Sequence, residues 1–443
     1  MAGLCVYTLF NGEREPIAVG ILDTKSQIKK IYTLYAKGSG VTLYEIEQNS
    51  ASITKILTAA IANSVPVYTC DFKTMLSAFA IPLVRGVDYN VYDVNWSTVA
   101  SINNANAARA VVSKMLDRLA NAKVSIWHRV FANAAVVYQD LENRGINTDV
   151  MWRKPIWSQD TFSGRSKNLS VNIQGVDGDM HLVNPVAGPR DVFVYFDWIA
   201  ADLRIASLLS GDEVLEETFV KSDPYTALVA MLSSETGSIS RSDCKRSLLQ
   251  SINSFNYDHP VLNNIFVKLG AWLQHARKML DTDGYLTSIL GRKFALERAR
   301  DNNPRAVLNG ILQGSVAHAM QRCIKLIWDK FGLQLLVEIH DSNCLTTSRE
   351  TILTTVDDVT RIMGNPFSGL LDTNPFFPVK VSIGTKFRQW MPFRVYRQSG
   401  MEDISGQETP REESTGTSEV FEASDGDGYP IQAEIQSGPG ASQ

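Results

Sequence analysis

Asp191-Val-Phe-Val-Tyr-Phe-Asp197 and Leu333-Gln-Leu-Leu-Val-Glu-Ile-His340-Asp341 are two apolar runs that each predict a buried β-strand ending in an aspartate. Helical spacing follows the first run from Trp198 onward, and a predicted helix from Glu350 follows the second. An aspartate at the end of a buried strand lies at the rim of a sheet, where binding residues concentrate. A single strand-end aspartate is more often a helix cap or a turn residue, so only the pair indicates a function.

Two acids delivered to a common rim are what two-metal phosphoryl chemistry requires. Hard Mg²⁺ prefers carboxylate oxygens, and two ions roughly 3.5–4 Å apart hold the attacking and leaving oxygens. Two unrelated caps remain the alternative until the residues between the two strands are explained.

The composition is that of an ordinary globular protein. The chain has 443 residues, of which 44% are hydrophobic and 20% are charged, which suffices for two or three domains. Its apolar runs are broken before they reach membrane-spanning length, and its N-terminus lacks the pattern of a signal peptide. The five scattered cysteines form no CxxC pair, which argues against a disulfide framework or a zinc site. We expect no membrane partner and a reducing, cytoplasmic compartment.

Charge is unevenly distributed along the chain. The net charge is −4, but residues 401–443 hold ten acidic residues and one basic residue, a net charge of −9. The remaining 400 residues therefore carry +5. This mildly basic balance is compatible with phosphate contacts.

The pattern predicts an α+β protein with four regions. Residues 1–100 mix short apolar runs with a helix-like stretch near 50–63 and predict an α/β domain. Residues 101–160 begin with an Ala- and Leu-rich stretch that predicts one long helix or a helical pair. Residues 161–398 alternate strand-like and helix-like segments and contain the chemical motifs. Residues 399–443, rich in Ser, Gly and acids, predict a disordered tail.

An ordered series of motifs lies around and between the two acids. In chain order these are Thr161-Phe-Ser-Gly-Arg165, Asn168-Leu-Ser-Val-Asn172, Asp197 with Asp202-Leu-Arg204, Ser210-Gly-Asp-Glu213, Asp223-Pro-Tyr-Thr-Ala227, Gly284-Tyr-Leu-Thr-Ser-Ile-Leu-Gly-Arg292-Lys293, Arg305-x3-Asn309-x3-Gln313-Gly-Ser315 and His340-Asp341. The series resembles the polymerase domain of family A DNA polymerases, the DNA polymerase I type, over about residues 128–395. The resemblance implies a right-hand palm and fingers.

The resemblance also implies roles for individual residues. Asp197 and Asp341 match the family's two catalytic, metal-binding aspartates, and the Trp198 carbonyl matches its backbone ligand. Two Mg²⁺ ions are the implied cofactors, with Mn²⁺ as a possible substitute. The residues expected to contact DNA are Arg165, Asn172, Arg204, Arg292, Arg305, Asn309, Gln313 and His340. Arginine forks suit phosphate, and Asn or Gln amides reach the groove edges of a base pair.

The fingers helix fits the family pattern in two registers. In one register Arg241 and Lys245 share a helix face toward the incoming triphosphate, but Tyr257 then lies too far along. In the other register Arg246 and Tyr257 fit, while Gln250 replaces the expected lysine. We favour the second register slightly, because it keeps Ile252-Asn253 in place.

Two positions depart from the family near the site. Asp202 stands where the family's DNA polymerases carry a glutamate that packs beneath the incoming sugar and excludes a 2′-hydroxyl. Aspartate is one methylene shorter, so we expect weaker exclusion of ribonucleotides. Ser342, after His340-Asp341, stands where the family often has glutamate.

Two larger departures concern whole regions. Only residues 150–160 separate a junction-like helix from the Thr161–Arg165 motif, which predicts a reduced or absent thumb and poor processivity. Residues 1–98 resemble the family's 3′–5′ exonuclease module, of ribonuclease H-like type. The first strand, Cys5-Val-Tyr-Thr-Leu-Phe10, lacks the required acids. We therefore predict a degenerate, non-editing domain in which Asp71 and Asp93 are ordinary loop acids.

The resemblance implies a template-directed DNA polymerase that uses a primed template and dNTPs, with a processivity or replisome protein as a further possible partner. A compact polymerase with an acidic tail suits phage or viral replication, in a host cytoplasm or a virion. One alternative is a single-subunit RNA polymerase-like enzyme, against which Asp202 and Gln313-Gly-Ser315 argue. The other is a non-catalytic scaffold with a polymerase fold, in which intact aspartates would have no purpose.

Overall fold

The computed structural model describes residues 3–11, 13–34, 43–94, 105–147, 152–159, 161–170, 173–174, 191–221, 223–236, 240–256, 259–387 and 389–405. The described chain forms two compact units. The first comprises Met1–Ile81 and Asp93–Ala122, and the second comprises Pro82–Tyr92 and Lys123–Ser418. The tail predicted to be disordered lies almost entirely outside the described residues.

The first unit is an α/β arrangement around a mixed five-stranded sheet. Its elements are β1 (Leu4–Phe10), β2 (Pro16–Asp23), β3 (Ile28–Thr33), α1 (Leu43–Ala62), β4 (Val67–Thr69), α2 (Phe72–Ala78), β5 (Val91–Asp93) and α3 (Ala105–Ala120). The sheet order is β3-β2-β1-β4-β5. Strand β1 is antiparallel to β2 and parallel to β4. This unit therefore combines a sheet with helices.

Close packing of α3 on the sheet explains why this helix belongs to the first unit. A Cβ atom at Gly20 on β2 would lie 2.5 Å from side-chain atoms of Val112 and Leu116. Glycine therefore lets the helix approach the strand closely. The stretch at the start of residues 101–160 that was predicted to be one long helix or a helical pair holds two helices, Ala105–Ala120 and Ile126–Arg144, which fall in different units.

The second unit contains the remaining elements. They are α4 (Ile126–Arg144), β6 (Ile146–Asn147), β7 (Trp152–Arg153), β8 (Trp157–Ser158), β9 (Lys167–Asn168), β10 (Asp191–Trp198), α5 (Ala201–Ser210), α6 (Glu213–Lys221), α7 (Pro224–Thr236), α8 (Arg241–Asn253), α9 (Pro260–Asn264), α10 (Val267–Asp283), β11 (Tyr285–Thr287), β12 (Lys293–Ala295), α11 (Pro304–Phe331), β13 (Leu335–Ile339), β14 (Ser342–Ser348), α12 (Ile352–Gly364), β15 (Val379–Gly384), β16 (Met391–Arg397) and β17 (Gly400–Asp403). Three 3₁₀ turns occupy Leu296–Arg298, Arg300–Asn302 and Gly332–Gln334.

An antiparallel six-stranded sheet forms the centre of this unit, in the order β13-β14-β10-β15-β16-β17. Both strands that were predicted to end in aspartates, β10 and β13, belong to it. The 28-residue helix α11 is largely buried, and packs against α4 and α5. Pro304 in its first turn lacks the N–H group that would otherwise have no partner within the helix. The Asn303 side chain accepts a hydrogen bond from the Arg305 amide and so caps the helix. These two residues therefore set where the helix begins.

The region between α4 and β10 is short of regular structure. Among its described residues the structure contains only the two-residue strands β6 to β9. No helix in the described chain is long and apolar enough to cross a membrane.

Candidate active site

The central sheet brings Asp197 and Asp341 to the same edge. In the β10–β14 ladder Asp197 lies directly opposite Ser342, the residue after Asp341. The Trp198 amide donates a hydrogen bond to the Asp341 carbonyl at 3.3 Å. Two aspartates that are far apart in sequence therefore become neighbours through strand pairing.

A tight turn presents Asp341. Ile339 and Ser342 close the β13–β14 hairpin, so that His340 and Asp341 form its two-residue loop. His340 has a φ of 58°, in the left-handed region that costs a non-glycine residue roughly 1–2 kcal/mol. The Ser342 hydroxyl donates to the Ile339 carbonyl at 2.6 Å and ties the turn together. Serine at this position thus has a local structural role, and His340 is displayed at the exposed tip.

Two residues beside Asp197 were missed by the motif search. Tyr195 lies two positions earlier on β10 and so shares the face of Asp197. Burial, followed by the Asp197 charge, raises the pKa of Tyr195, and its ring stacks on Trp390 at 5.1 Å. Lys380 on β15 lies directly opposite Asp197 in the sheet. Strand alternation could have indicated Tyr195, whereas Lys380 depends on the pairing register.

Asp341 interacts electrostatically with Arg165, Asp202 and Lys245. Arg165 forms an ion pair with Asp202 at 3.7 Å. Burial raises the pKa of Asp202, with Arg165 and Lys245 acting in the opposite direction and Asp341 adding to the rise. Burial likewise raises the pKa of Asp341, which Arg165 and Lys245 counteract. Two cations therefore balance a group of acids at the sheet edge.

A small cavity of about 40 Å³ adjoins Asp202. Helices α5, α8 and α11 supply its walls, and the lining residues are Asp202, Leu203, Ala206, Leu249, Ile252, Asn253, Asn309, Leu312 and Gln313. The predicted base-pair contacts Asn309 and Gln313 thus face the same space as Asp202. Arg305 lies one turn before Asn309 and is exposed on the surface.

The two fingers registers place different side chains beside the site. The Lys245 charge counteracts the rise in the pKa of Asp202 and Asp341. The residues four and eight positions after it along α8, Leu249 and Asn253, line the cavity. Arg246 is 56% exposed and pairs instead with Asp243 on its own helix. Since residues four apart share a helix face, the site-facing row begins at Arg241 and Lys245. Gln250 is exposed on the solvent side.

Arg241 is held by a neighbouring motif. Its guanidinium makes two hydrogen bonds to Asp223, at 2.9 and 2.8 Å. The ring of Tyr225 lies 5.4 Å from Arg241 and 5.9 Å from Lys245, within reach of a cation–π interaction. Asp223 and Tyr225 therefore orient the two cations of the site-facing row.

A buried carboxylate supports the site from behind. Glu338 on β13 is 3% exposed and accepts hydrogen bonds from the Tyr138 hydroxyl of α4 and, at 2.7 Å, from the Ser166 hydroxyl. Burial raises the pKa of Glu338 to about 7. Because Ser166 follows Arg165, this network fixes the segment that carries Arg165 to the strand that leads into His340-Asp341.

Two arginines expected to contact DNA have structural partners instead. Arg204 is 1% exposed, pairs with Glu216 and donates to the Phe376 carbonyl at 2.7 Å. Burial of this charge is tolerated because it is paired and hydrogen-bonded. Arg292 lies against aromatic rings and donates to the Phe162 carbonyl at 3.0 Å. The prediction of DNA contacts was therefore wrong for Arg204, and Arg292 is committed to packing.

Asn172 and Tyr257 lie outside the described residues, so their predicted roles are not addressed by the structure.

The donor set at the sheet edge suits a hard divalent cation. Asp197, Asp341 and the Trp198 carbonyl offer only oxygen ligands, the type that Mg²⁺ and Mn²⁺ favour. Within the described part of the chain, no group of three or more His, Cys, Asp or Glu side chains is placed to hold a metal.

In the first unit, by contrast, the side chains of the candidate acids form hydrogen bonds and an ion pair within the protein. Asp93 is buried and accepts hydrogen bonds from the amides of Asp71 and Phe72, at 3.0 and 2.7 Å. The Asp71 side chain caps helix α2 by accepting from the Thr74 amide and pairs with Arg14.

Comparisons with known proteins identify the fold. No protein-family model matches the sequence, and no curated protein matches it. Among solved structures, the chain is similar to the POL domain of Pol1 from M. smegmatis in complex with DNA primer-template and dNTP. The TM-score is 0.57 at 12% sequence identity, and the match covers 86% of this chain and 95% of that domain. The chain therefore has a DNA polymerase POL-domain fold.

Proposed function

We propose that the protein is a template-directed DNA polymerase of the family A type, which adds dNTPs to a primer 3′-hydroxyl. The observation that carries this proposal is the meeting of Asp197 and Asp341 at one sheet edge, inside a fold whose solved neighbour binds primer-template and dNTP. The order of the motifs along the chain supports the same conclusion.

Asp197, Asp341 and the Trp198 carbonyl would hold Mg²⁺. Bound there, two such ions would supply Lewis-acid stabilisation of the attacking and leaving oxygens. The chain's own residues position the substrates. Lys245, with Arg241 beside it, would screen the triphosphate, since ammonium and guanidinium groups bind phosphate oxygens strongly.

Other residues would hold the base pair and the primer. Asn309 and Gln313 would contact the nascent pair through their amides, because both line the cavity beside Asp202. Arg165 pairs with Asp202 and interacts electrostatically with Asp341, and it would hold the primer end near the acids. We infer that the first unit does not edit errors, since Asp71 and Asp93 are engaged by backbone amides and Arg14.

Primer extension with Mg²⁺ tests the proposal. The wild type is expected to extend a labelled primer along its template, and Asp197→Ala to lose extension by at least about a thousandfold while binding the duplex normally. Asp191→Ala, at the opposite end of the same strand, serves as the control and should extend normally. Wild-type protein that binds the duplex and extends nothing would leave the scaffold interpretation standing.

We further propose that processivity is low, because among described residues the segment between α4 and β10 holds only two-residue strands. The setting we propose for such a compact enzyme is phage or viral genome replication.

A further inference from the structure

The small hairpin formed by β8 and β9 has one buried face and one exposed face. Ser158 pairs with Lys167, and the Leu169 amide donates to the Ile156 carbonyl at 2.8 Å. Side chains alternate along a strand, so Ile156, Lys167 and Leu169 project from the face opposite Trp157.

The buried face anchors the hairpin firmly. Trp157 is 2% exposed, its amide donates to Glu142 at 2.6 Å, and its ring stacks on Tyr138 at 5.4 Å. The Ser170 hydroxyl donates to the Lys154 carbonyl at 2.8 Å, which fixes the chain just before the hairpin to the chain just after it. The exposed face is therefore held in place by packing and hydrogen bonds.

That exposed face is basic and apolar. Ile156 and Leu169 are 47% and 61% exposed, Lys167 is exposed on the same face, and Arg153 and Lys154 are exposed on the segment just before β8. Between residues 152 and 170 the sequence has a single acid, Asp160, against four bases, Arg153, Lys154, Arg165 and Lys167. This segment thus carries a net charge of +3 in a chain whose overall net charge is −4.

The hairpin continues directly from the candidate site. Arg165 belongs to the group around Asp202 and Asp341, and Lys167 follows two residues later. At about 3.3 Å per extended residue, this is roughly 7 Å along the chain, the axial length of about two base pairs.

We propose that this hairpin face (Ile156, Lys167 and Leu169), together with the exposed Arg153 and Lys154 just before it, binds the sugar–phosphate backbone of the duplex that leaves the active site. The placement of the duplex rests on the proposed function. The cations contact phosphates, the two apolar side chains lie against sugar rings, and the surface supplies grip where the described chain between α4 and β10 has no helix. Since these contacts touch no base edges, the binding is independent of sequence.

Duplex affinity as a function of salt tests the proposal in the full-length protein. A fluorescent primer–template would be titrated without dNTP, comparing wild type with Arg153→Gln/Lys154→Gln and with Lys167→Gln. The control is Arg349→Gln/Lys386→Gln, two exposed cations just beyond the other ends of β14 and β15. Along their strands these ends lie about 25 Å from Asp341 and about 20 Å from Lys380, respectively.

The double hairpin variant should bind the duplex about tenfold more weakly at about 0.1 M NaCl, with the slope of log affinity against log salt reduced by about two. Lys167→Gln should reduce the slope by about one, and the control pair should change neither quantity. The same losses on duplexes of unrelated sequence support backbone contact.

If the double variant bound the duplex with the affinity and salt slope of the wild type, the proposal would be overturned. The face would then be assigned to another partner, such as a protein. An equal loss in the control pair would also overturn it. The outcome is separable from the proposed function, since wild type that binds duplex but extends no primer refutes the polymerase assignment while the salt slopes still decide the surface.

Discussion

The two units use their aspartates in opposite ways. In the first unit, Asp93 is buried beneath two backbone amides, and Asp71 caps a helix. In the second unit, Asp197 and Asp341 meet at a sheet edge among Arg165, Lys245 and Lys380. A carboxylate that completes the hydrogen bonding of its own fold holds the chain together, whereas acids gathered at an edge among cations are placed to bind a ligand.

The largest expected effect comes from replacing one aspartate by asparagine in each unit in turn. Asp341→Asn should reduce primer extension by at least about a thousandfold, and the melting temperature should stay the same or rise, because burial disfavours the ionised carboxylate. Extension rates and thermal melting of the same preparation provide the measurement.

The matched variant in the first unit should behave in the opposite way. In the wild type each carboxylate oxygen of Asp93 accepts a hydrogen bond from one backbone amide. Asp93→Asn replaces one of these oxygens with an NH₂ group and should cost about 1–3 kcal/mol of unfolding free energy. Primer extension should be unchanged. If Asp93→Asn abolished release of nucleotides from a 3′ end without destabilising the fold, the first unit would be an editing domain and the contrast would fail.

A second contrast lies within the second unit, between the edge acids and Glu338. Burial raises the pKa of Glu338 to about 7, above the value of about 4.3 in an unfolded chain. The folded state thus binds the proton more tightly, and its stability falls as pH rises from about 4 to above 7. Relative to Glu338→Gln, the wild type should lose roughly 4 kcal/mol of unfolding free energy over this range.

Denaturant titrations of both proteins at several pH values measure this difference. Tyr138→Phe sharpens it, because loss of a donor to the carboxylate should move the fall to higher pH. A pH-independent difference between wild type and Glu338→Gln would show that this carboxyl titrates normally in the fold.

A third comparison sets the two faces of α8 against each other. Lys245→Met should raise the KM for dNTP about 10- to 100-fold, since a charged contact to phosphate is worth about 1.5–3 kcal/mol. Arg246→Met should leave KM within about twofold, because an exposed ion pair such as that of Arg246 with Asp243 contributes little. Steady-state single-nucleotide insertion measures both, and the reverse pattern would restore the other register.

The sequence predicted these features unevenly, for physical reasons. The strands ending in Asp197 and Asp341 were predictable because an apolar run ending in an acid is a local pattern. That the two aspartates lie next to each other and next to Lys380 depends on the pairing register of the strands, which long-range packing sets. Arg204 was mistaken for a DNA contact because its partner, Glu216, lies on the next helix. Residue spacing along α8 admits two registers, with a slight preference for the second, because spacing alone does not show which side chains of a helix its packed neighbours leave facing a site.

The smallest expected effect concerns the sugar. Asp202 borders a cavity of about 40 Å³, large enough to hold a water molecule. Asp202→Glu adds one methylene toward this space and should lower ribonucleotide relative to deoxynucleotide insertion by about tenfold, the usual worth of one methylene in a pocket. Asp202→Asn keeps the length and removes the charge, so it should leave this ratio unchanged. Competition between rNTP and dNTP on one primed template measures the ratio for each protein. A large change with Asn and none with Glu would mean that charge, through the ion pair with Arg165, governs sugar choice rather than side-chain length.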